Sequence, residues 1–398
     1  MSLDKNPERH VAVTGIGQSK VGRPSDRSAL QLTLDACLEA IADAGISVDD
    51  VDGLICHPNK SAEGGGISPV GTVETMMALG IRPVWTNPSS HEGPGHMAAI
   101  FQGIMAIATG LCRHVLCYRT VAQATARMTS RASTLLTGRS DRVDPGNNAY
   151  FVPYHAHSPA NLWALYAQAY FDKYGATEEQ LGWVAVNGRR HAALNPNAIY
   201  RKPITIDDYL NARMITTPLR LFDCDSHIDG STAILLSARD VAKDLRNPPI
   251  DIEAIGMSTG TFGEGLHTGD FTMTPAEKCG DMLWNRTDMT PKDVDCAQIY
   301  DGFSIHVWLW LEAVRLCGRG EAAAYIAGGE RTAINGELPL NTGGGQLSAG
   351  RFHGFGHIHE AMTQLWGRGG DRQVPGAKTC MAVNGGYGYG AMLLKCDG

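Results

Sequence analysis

Between Asn341 and Ala361 the chain reads NTGGGQLSAGRFHGFGHIHEA: three consecutive glycines, then an arginine and three histidines. Such residues serve a phosphate cradle, a metal centre, or a glycine turn that presents an acid–base group. A cradle of the P-loop type needs G-x-x-x-x-G-K-[ST], and this stretch has no lysine. A zinc centre would draw on His353, His357 and His359, but H-E-x-x-H is absent and His359–Glu360 stand in the wrong order. The third reading is therefore preferred. Glycines supply positive φ in a strand-to-helix turn, which sets Arg351 and His353 at a helix N-terminus.

A second chemical group precedes it. In YDGFS (300–304), Tyr300 closes an apolar run and is followed by Asp301 and Gly302. A phenol titrates near ~10, so Tyr300 needs a neighbouring cation to act as a base, and Arg351 is the expected one. The bland alternative is that Arg351 pairs with an acid such as Asp301. NGGYGYG (384–390) is another glycine turn, in which Asn384, Gly385 and Gly386 are candidates to hold an oxyanion. Glu92, in SSHEGPGHMA, either caps a helix or faces the same site. In DCDSHIDG, His227 sits in a loop and Asp229 reads as structural. The basic run Arg189, Arg190, His191, Arg201 and Lys202 is either a solvated face or a phosphate contact.

Composition narrows the function. The chain has 398 residues, 43% hydrophobic and 19% charged, as in an ordinary globular protein. A net charge of −7 argues against nucleic acid, which requires clustered Lys and Arg. No 18-residue apolar run and no signal peptide are read, so a cytoplasmic chain without a membrane span is expected. Ten cysteines without C-x-x-C read as core residues in a reducing compartment.

Periodicity gives the scaffold that holds these groups. HVAVTGIGQSKVG reads as a strand, SALQLTLDACLEAIADAG as a helix capped by Ser28 and stopped by Gly45, and GLICH as a buried strand. This β-α-β order predicts a covered parallel sheet. PGHMAAIFQGIMAIATG is a helix leading to the strand RHVLCYR. From about Thr120 to Pro218 the pattern becomes irregular, with helices in ANLWALYAQAYFDKYG and TEEQLGWVAVNGRRHAAL, as expected of an insertion that carries binding groups. An internal repeat organises the rest: ISVDDVDGLICHP (46–58) aligns with MTPKDVDCAQIYD (289–301), so His57 is the mate of Tyr300. Residues 1–119 with 219–248 form one half, 120–218 the insertion, and 249–398 the second half. In such folds ligands bind at the carboxyl ends of strands, where both mates stand.

YDGFS, GGGQLSAGRFHGFG (343–356), PLRLFDCDSHIDGSTAILL (218–236) and NGGYGYGAM (384–392) together resemble the thiolase superfamily over nearly the whole chain. More narrowly, the chain is similar to the thiolase-like lipid-transfer branch that includes steroid side-chain aldolases. The resemblance implies two βαβαβαββ halves in a five-layered α-β-α-β-α core with an inserted loop domain. It also implies that the four groups of a classical thiolase fall on Glu92, Tyr300, Arg351 and Asn384, none of which keeps the thiolase residue. A covalent acyl-enzyme needs an activated thiol, and Glu92 cannot supply one. Retro-aldol cleavage of a β-hydroxyacyl-CoA passes through the same thioester enolate and needs none. In the aldolases two tyrosines move the protons; one matches Tyr300, and the other falls where Arg351 stands. His353 is also found in that branch.

The expected function is thus an acyl-CoA aldolase for a bulky or steroid side chain. Tyr300, Arg351 and His353 are catalytic; Asn384, Gly385, Gly386, Glu92 and His57 face the substrate. Arg189, Arg190, Arg201 and Lys202 are candidates for the CoA phosphates. The resemblance further implies a homodimer and a DUF35-type partner with an OB fold and zinc ribbon. Any zinc is expected in that partner, and this chain needs no cofactor besides CoA as part of the substrate. Alternatives are an unconventional β-ketoacyl-CoA thiolase or a non-catalytic acyl-CoA or lipid-binding subunit.

Overall fold

The computed structural model describes residues 6–60, 65–89, 95–129, 152–156, 158–260, 264–386 and 388–397, the side chains of His96, Thr129 and Val152 excepted. Its strands are β1 (Val11–Gln18), β2 (Gly53–Cys56), β3 (Trp85–Pro88), β4 (His114–Ala122), β5 (Met214–Thr216), β6 (Leu219–Arg220), β7 (Asp229–Ala238), β8 (Ile250–Thr259), β9 (Cys296–Ile299), β10 (Thr379–Asn384) and β11 (Gly388–Lys395). Nine of them form one sheet in the order β3-β2-β4-β7-β1-β8-β11-β10-β9, and β5 pairs with β6.

That order displays the repeat. From the centre outward, β1-β7-β4-β2 in one half is matched by β8-β11-β10-β9 in the other. In each half the first two pairings are antiparallel and the third is parallel. The halves meet where Ala12 and Val13 pair with Asp251 and Ile250. β3 extends the first half beyond β2; at the equivalent place the second half has, among the described residues, only the parallel bridge Ala297–Leu340.

Three apolar clusters define layers on these sheets. The helix Ala29–Ala44 packs Ala36, Ala40 and Ala44 onto Leu54, Leu116 and Leu235. Its start is set by the reciprocal Ser28–Gln31 capping box and its end by Gly45 at φ 77°. The helices Ala98–Ala108 and Phe355–Leu365 fill the centre, against Val115, Cys117 and Leu236 on one side and Ile252, Ala382 and Met392 on the other. The helices Pro159–Tyr174, Glu178–Ala193 and Ser304–Ala313 cover the second half over Ile299, Val383 and Leu393. The two halves of this one sheet thus alternate with three helical layers, helix, half-sheet, helix, half-sheet, helix, which is the five-layered arrangement.

Side chains alternate between two layers along β4. Leu116 and Tyr118 face the outer helices, whereas Val115 and Cys117 face the central layer. Arg119 continues the inward series, which carries a charge into the centre of the molecule.

Candidate active site

The two repeat mates lie at equivalent strand ends. His57 follows β2; it is buried, its Nδ1 lies 2.6 Å from Ser89 Oγ, and its ring stacks on Phe355 with centroids 6.1 Å apart. Tyr300 follows β9 and is 8% exposed. Its ring stands 5.3 Å from the His306 ring and 6.2 Å from that of His357.

Asp301 organises the glycine-rich stretch. It accepts from the backbone N–H of Gln346 (2.7 Å) and Leu347 (3.3 Å) and from His357 Nε2 (3.0 Å). It thereby caps the short helix Gly345–Ser348. Gly345 has φ 60°, and a Cβ there would stand 1.9 Å from Asp301 Oδ2. The turn is thus helix-to-helix rather than strand-to-helix. The second helix starts at Phe355 because His353 (φ 50°) and Gly354 (φ 88°) are left-handed.

Arg351 does not pair with Asp301, whose oxygens are already committed. It donates from NH1 to Asp225 Oδ1 at 3.0 Å, and from Nε and NH2 to Gln123 Oε1 at 3.1 and 3.0 Å. His353 Nδ1 is 2.6 Å from NH2 of Arg119. The zinc alternative finds no shared focus: His357 serves Asp301 and His359 lies near Thr363. Among the described residues no group of three or more His, Cys, Asp or Glu is arranged around a metal position.

Asn384 ends β10 with no exposed surface, and neither end of its carboxamide has a hydrogen-bond partner. The amide lies against Gly354, where a Cβ would fall 1.2 Å from Nδ2. Gly385 accepts from Trp310 Nε1 at 3.2 Å. At Gly386 a Cβ would meet Trp163 at 3.0 Å and His306 Nε2 at 3.3 Å. His306 Nδ1 accepts from the Phe303 N–H at 2.9 Å, so its proton is on Nε2, which has no hydrogen-bond partner. Tyr300 and the Asn384–Gly386 turn thus share His306 as a neighbour, and Asn384 lies against Gly354, next to His353. Glu92 lies outside the described residues.

The insertion's basic run divides. Arg189 is half-buried; it donates to Ser348 Oγ at 3.1 Å and lies over the rings of Tyr200 and Phe222. His191 is buried against the Leu340 carbonyl at 2.9 Å. Arg190, Arg201 and Lys202 are exposed. Asp229 is bonded to Ser25 N and Thr125 N, a structural role.

Sequence reading missed Arg119, Gln123, Asp225 and His306. One signal was available: Arg119 is a charge at an inward position of an otherwise apolar strand.

Burial dominates the electrostatics. It pushes the Tyr300 phenol well above the usual range; Asp225 and Asp301 add to this, and Gln346 and Arg351 oppose it. Asp225 is raised to about 6 by burial, against the pull of Arg351. Burial also raises the thiols of eight cysteines, Cys56 beside Arg119 among them and Cys112 to about 11. A nucleophilic cysteine requires the reverse.

Burial holds His306 at about 3, His227 at about 2 and His359 at about 4, and lowers His114 and His191. As pH falls below 6.5 the unfolded chain protonates these five more readily than the folded chain does. Their contribution to stability is complete above pH 6.5 and is lost as pH falls. Asp225 and Asp223, both raised to about 6, act oppositely over the same window but are fewer. Each proton bound differentially changes stability by about 1.4 kcal/mol per pH unit. Differential scanning fluorimetry is expected to give a melting midpoint several degrees lower at pH 5 than at pH 7.5; an unchanged or higher midpoint at pH 5 contradicts this account.

Fold and site together define a thiolase-like protein in which every thiol that burial shifts is raised. The thiolase C-terminal domain-like family model matches residues 264–393. The chain is 35% identical over 370 residues to the 17-hydroxy-3-oxo-4-pregnene-20-carboxyl-CoA lyase of Mycobacterium tuberculosis, covering 90% of this chain and 92% of that one. It is 34% identical over 398 residues to the steroid side-chain-cleaving aldolase of Thermomonospora curvata, covering 97% and 98%. The solved structure of the Ltp2-ChsH2(DUF35) aldolase matches with a TM-score of 0.86 at 32% identity over 98% of both chains. The chain belongs to the thiolase superfamily, in the thiolase-like lipid-transfer branch that holds these steroid side-chain aldolases.

Proposed function

We propose that this chain is a carbon–carbon lyase that cleaves a β-hydroxyacyl-CoA with a steroid or similarly bulky acyl group by retro-aldol chemistry. The observation that carries this reading is a buried phenol, Tyr300, at the strand end equivalent to His57, on which Arg351 acts electrostatically, in a chain where burial raises eight of the thiols. Tyr300 accepts the proton of the β-hydroxyl. The Cβ–O bond becomes a carbonyl, the Cα–Cβ bond breaks, and its electron pair passes into the thioester enolate. The unpartnered Asn384 amide supplies a hydrogen bond to the enolate oxygen. The proton held by Tyr300 then goes to Cα. The products are a ketone or aldehyde and a shorter acyl-CoA.

Exposed Arg190, Arg201 and Lys202 meet the CoA phosphates. The chain works beside a DUF35-type partner, as the name of the solved aldolase structure suggests. Any zinc belongs to that partner, and the chain itself carries no cofactor. No described helix is long and apolar enough to cross a membrane. All ten cysteines are unpaired, which suits a cytoplasmic enzyme. Mass spectrometry of the purified chain with its partner, supplied with a 17-hydroxy steroid acyl-CoA, tests the reading. Release of the ketone without a covalent acyl-enzyme supports it; a trapped acyl-enzyme, or no turnover with any β-hydroxyacyl-CoA, overturns it.

A homodimer is part of this reading. Among the described residues β3 pairs only with β2 and ends the sheet, and beside it Trp85, Phe101, Met105, Leu111 and Met257 line an open apolar groove of about 420 Å³. Val84 is 77% exposed. A second copy that pairs along this edge would bury all of these. Met105→Glu together with Val84→Asp is expected to convert the dimer to monomer by light scattering at micromolar concentration; a mass unaffected by the substitutions places the interface elsewhere.

A further inference from the structure

Arg119 on β4 has no exposed surface. Its NH1 donates to the His57 carbonyl at 3.0 Å and its NH2 to His353 Nδ1 at 2.6 Å, while Nε has no partner. None of the described carboxylates forms an ion pair with it. Removing a guanidinium from water without a counter-ion costs several kcal/mol, so a fold that keeps one there uses its charge. The titratable and charged groups facing it are Cys56 and His57 from β2, Tyr300 from the end of β9, and Arg351 and His353 from the glycine-rich turn. Burial, then Arg351, lower it to about 9; Cys56 and Tyr300 oppose this, and it remains a cation at neutral pH.

A guanidinium has donors only. His353 Nδ1 must therefore accept, and the imidazole proton stands on Nε2. A second proton would place an imidazolium against a buried guanidinium. We propose that Arg119 is the positioning residue of this site: it holds His353 as a neutral Nε2–H donor. That tautomer does not rest on the lyase reading; its use in catalysis, beside the base Tyr300, does.

The test pairs a spectrum with kinetics. In the full chain carrying 15N-labelled histidine, the His353 resonances, identified by their loss in His353→Gln, are expected to show the Nε2–H tautomer from pH 6 to 8. In Arg119→Met they should become a tautomer mixture that protonates on acidification. With the partner present, Arg119→Met is expected to lower kcat about 100-fold with KM little changed and to add a further loss of activity as His353 protonates on acidification, while Arg119→Lys recovers about tenfold. If Arg119→Met does not fold, Arg119→Lys and His353→Gln decide: the glutamine keeps an N–H donor in place of Nε2 and should retain about a tenth of the activity, with the rise of activity with pH that belongs to Tyr300 unchanged. An Nδ1–H tautomer or an imidazolium in the unmodified chain overturns the proposal, as does a kcat within threefold of the parent in Arg119→Met. The expected tautomer in a chain that turns over no β-hydroxyacyl-CoA supports the proposal and counts against the lyase reading alone.

Discussion

Tyr300→Phe loses about a thousandfold in kcat/KM for β-hydroxyacyl-CoA cleavage, while its melting midpoint moves by only a few degrees. The expected loss is that of a positioned proton-transfer group, about 4 kcal/mol of transition-state stabilisation. The ring keeps its packing against His306 and His357, so the fold keeps its apolar contacts. A second signature arises from the electrostatics. Because burial raises the phenol well above its ordinary range, the phenolate fraction grows as pH rises from 7, and kcat/KM should climb about tenfold per pH unit over the stable range. Steady-state kinetics from pH 6.5 to 9 check both. A Phe variant within tenfold of the parent, or a profile flat above pH 7, removes Tyr300 from the role of base.

Gly354→Ala should produce the largest loss of stability of any single methyl added at the site. Its Cβ would stand 1.2 Å from Asn384 Nδ2, and the residue has φ 88°. The left-handed backbone costs about 1–2 kcal/mol and the overpacking about 1–3, so about 2–5 kcal/mol is expected. Asn384 must also move, and with it the hydrogen bond proposed for the enolate oxygen. Gly367→Ala is the control: φ is 67° there, but no atom lies within 4 Å of the added Cβ, so only the backbone cost applies. Chemical denaturation of both variants, with kcat for Gly354→Ala, separates strain from displacement. Equal losses in the two would show that contact with Asn384 carries no weight.

The periodicity of the chain predicted the helices Ala29–Ala44, Ala98–Ala108, Pro159–Tyr174 and Glu178–Ala193, and the repeat predicted that β2 and β9 are equivalent. Both are legible because apolar spacing and capping residues act over a few neighbours. The same local logic singled out Tyr300, Arg351, His353 and Asn384, each next to a glycine or a strand end. It did not show how Arg351 is held. Its partners Asp225 and Gln123 are 126 and 228 positions away, and the acid nearer in expectation, Asp301, is consumed in capping a short helix.

The alternation of strands and helices, the internal repeat, and the residues at the ends of β2, β9 and β10 are therefore written in the amino-acid order. Which of those residues meet is settled only by the packing of the layers. Arg119 reaches His353 across 234 residues, and Trp163 of the insertion stands 3.9 Å from His306 across the outer layer. Spacing along a strand or helix fixes the direction of a side chain relative to its own element. Its charge and hydrogen-bond partners depend instead on how separate layers pack, and that packing brings a buried arginine onto a histidine from the other half.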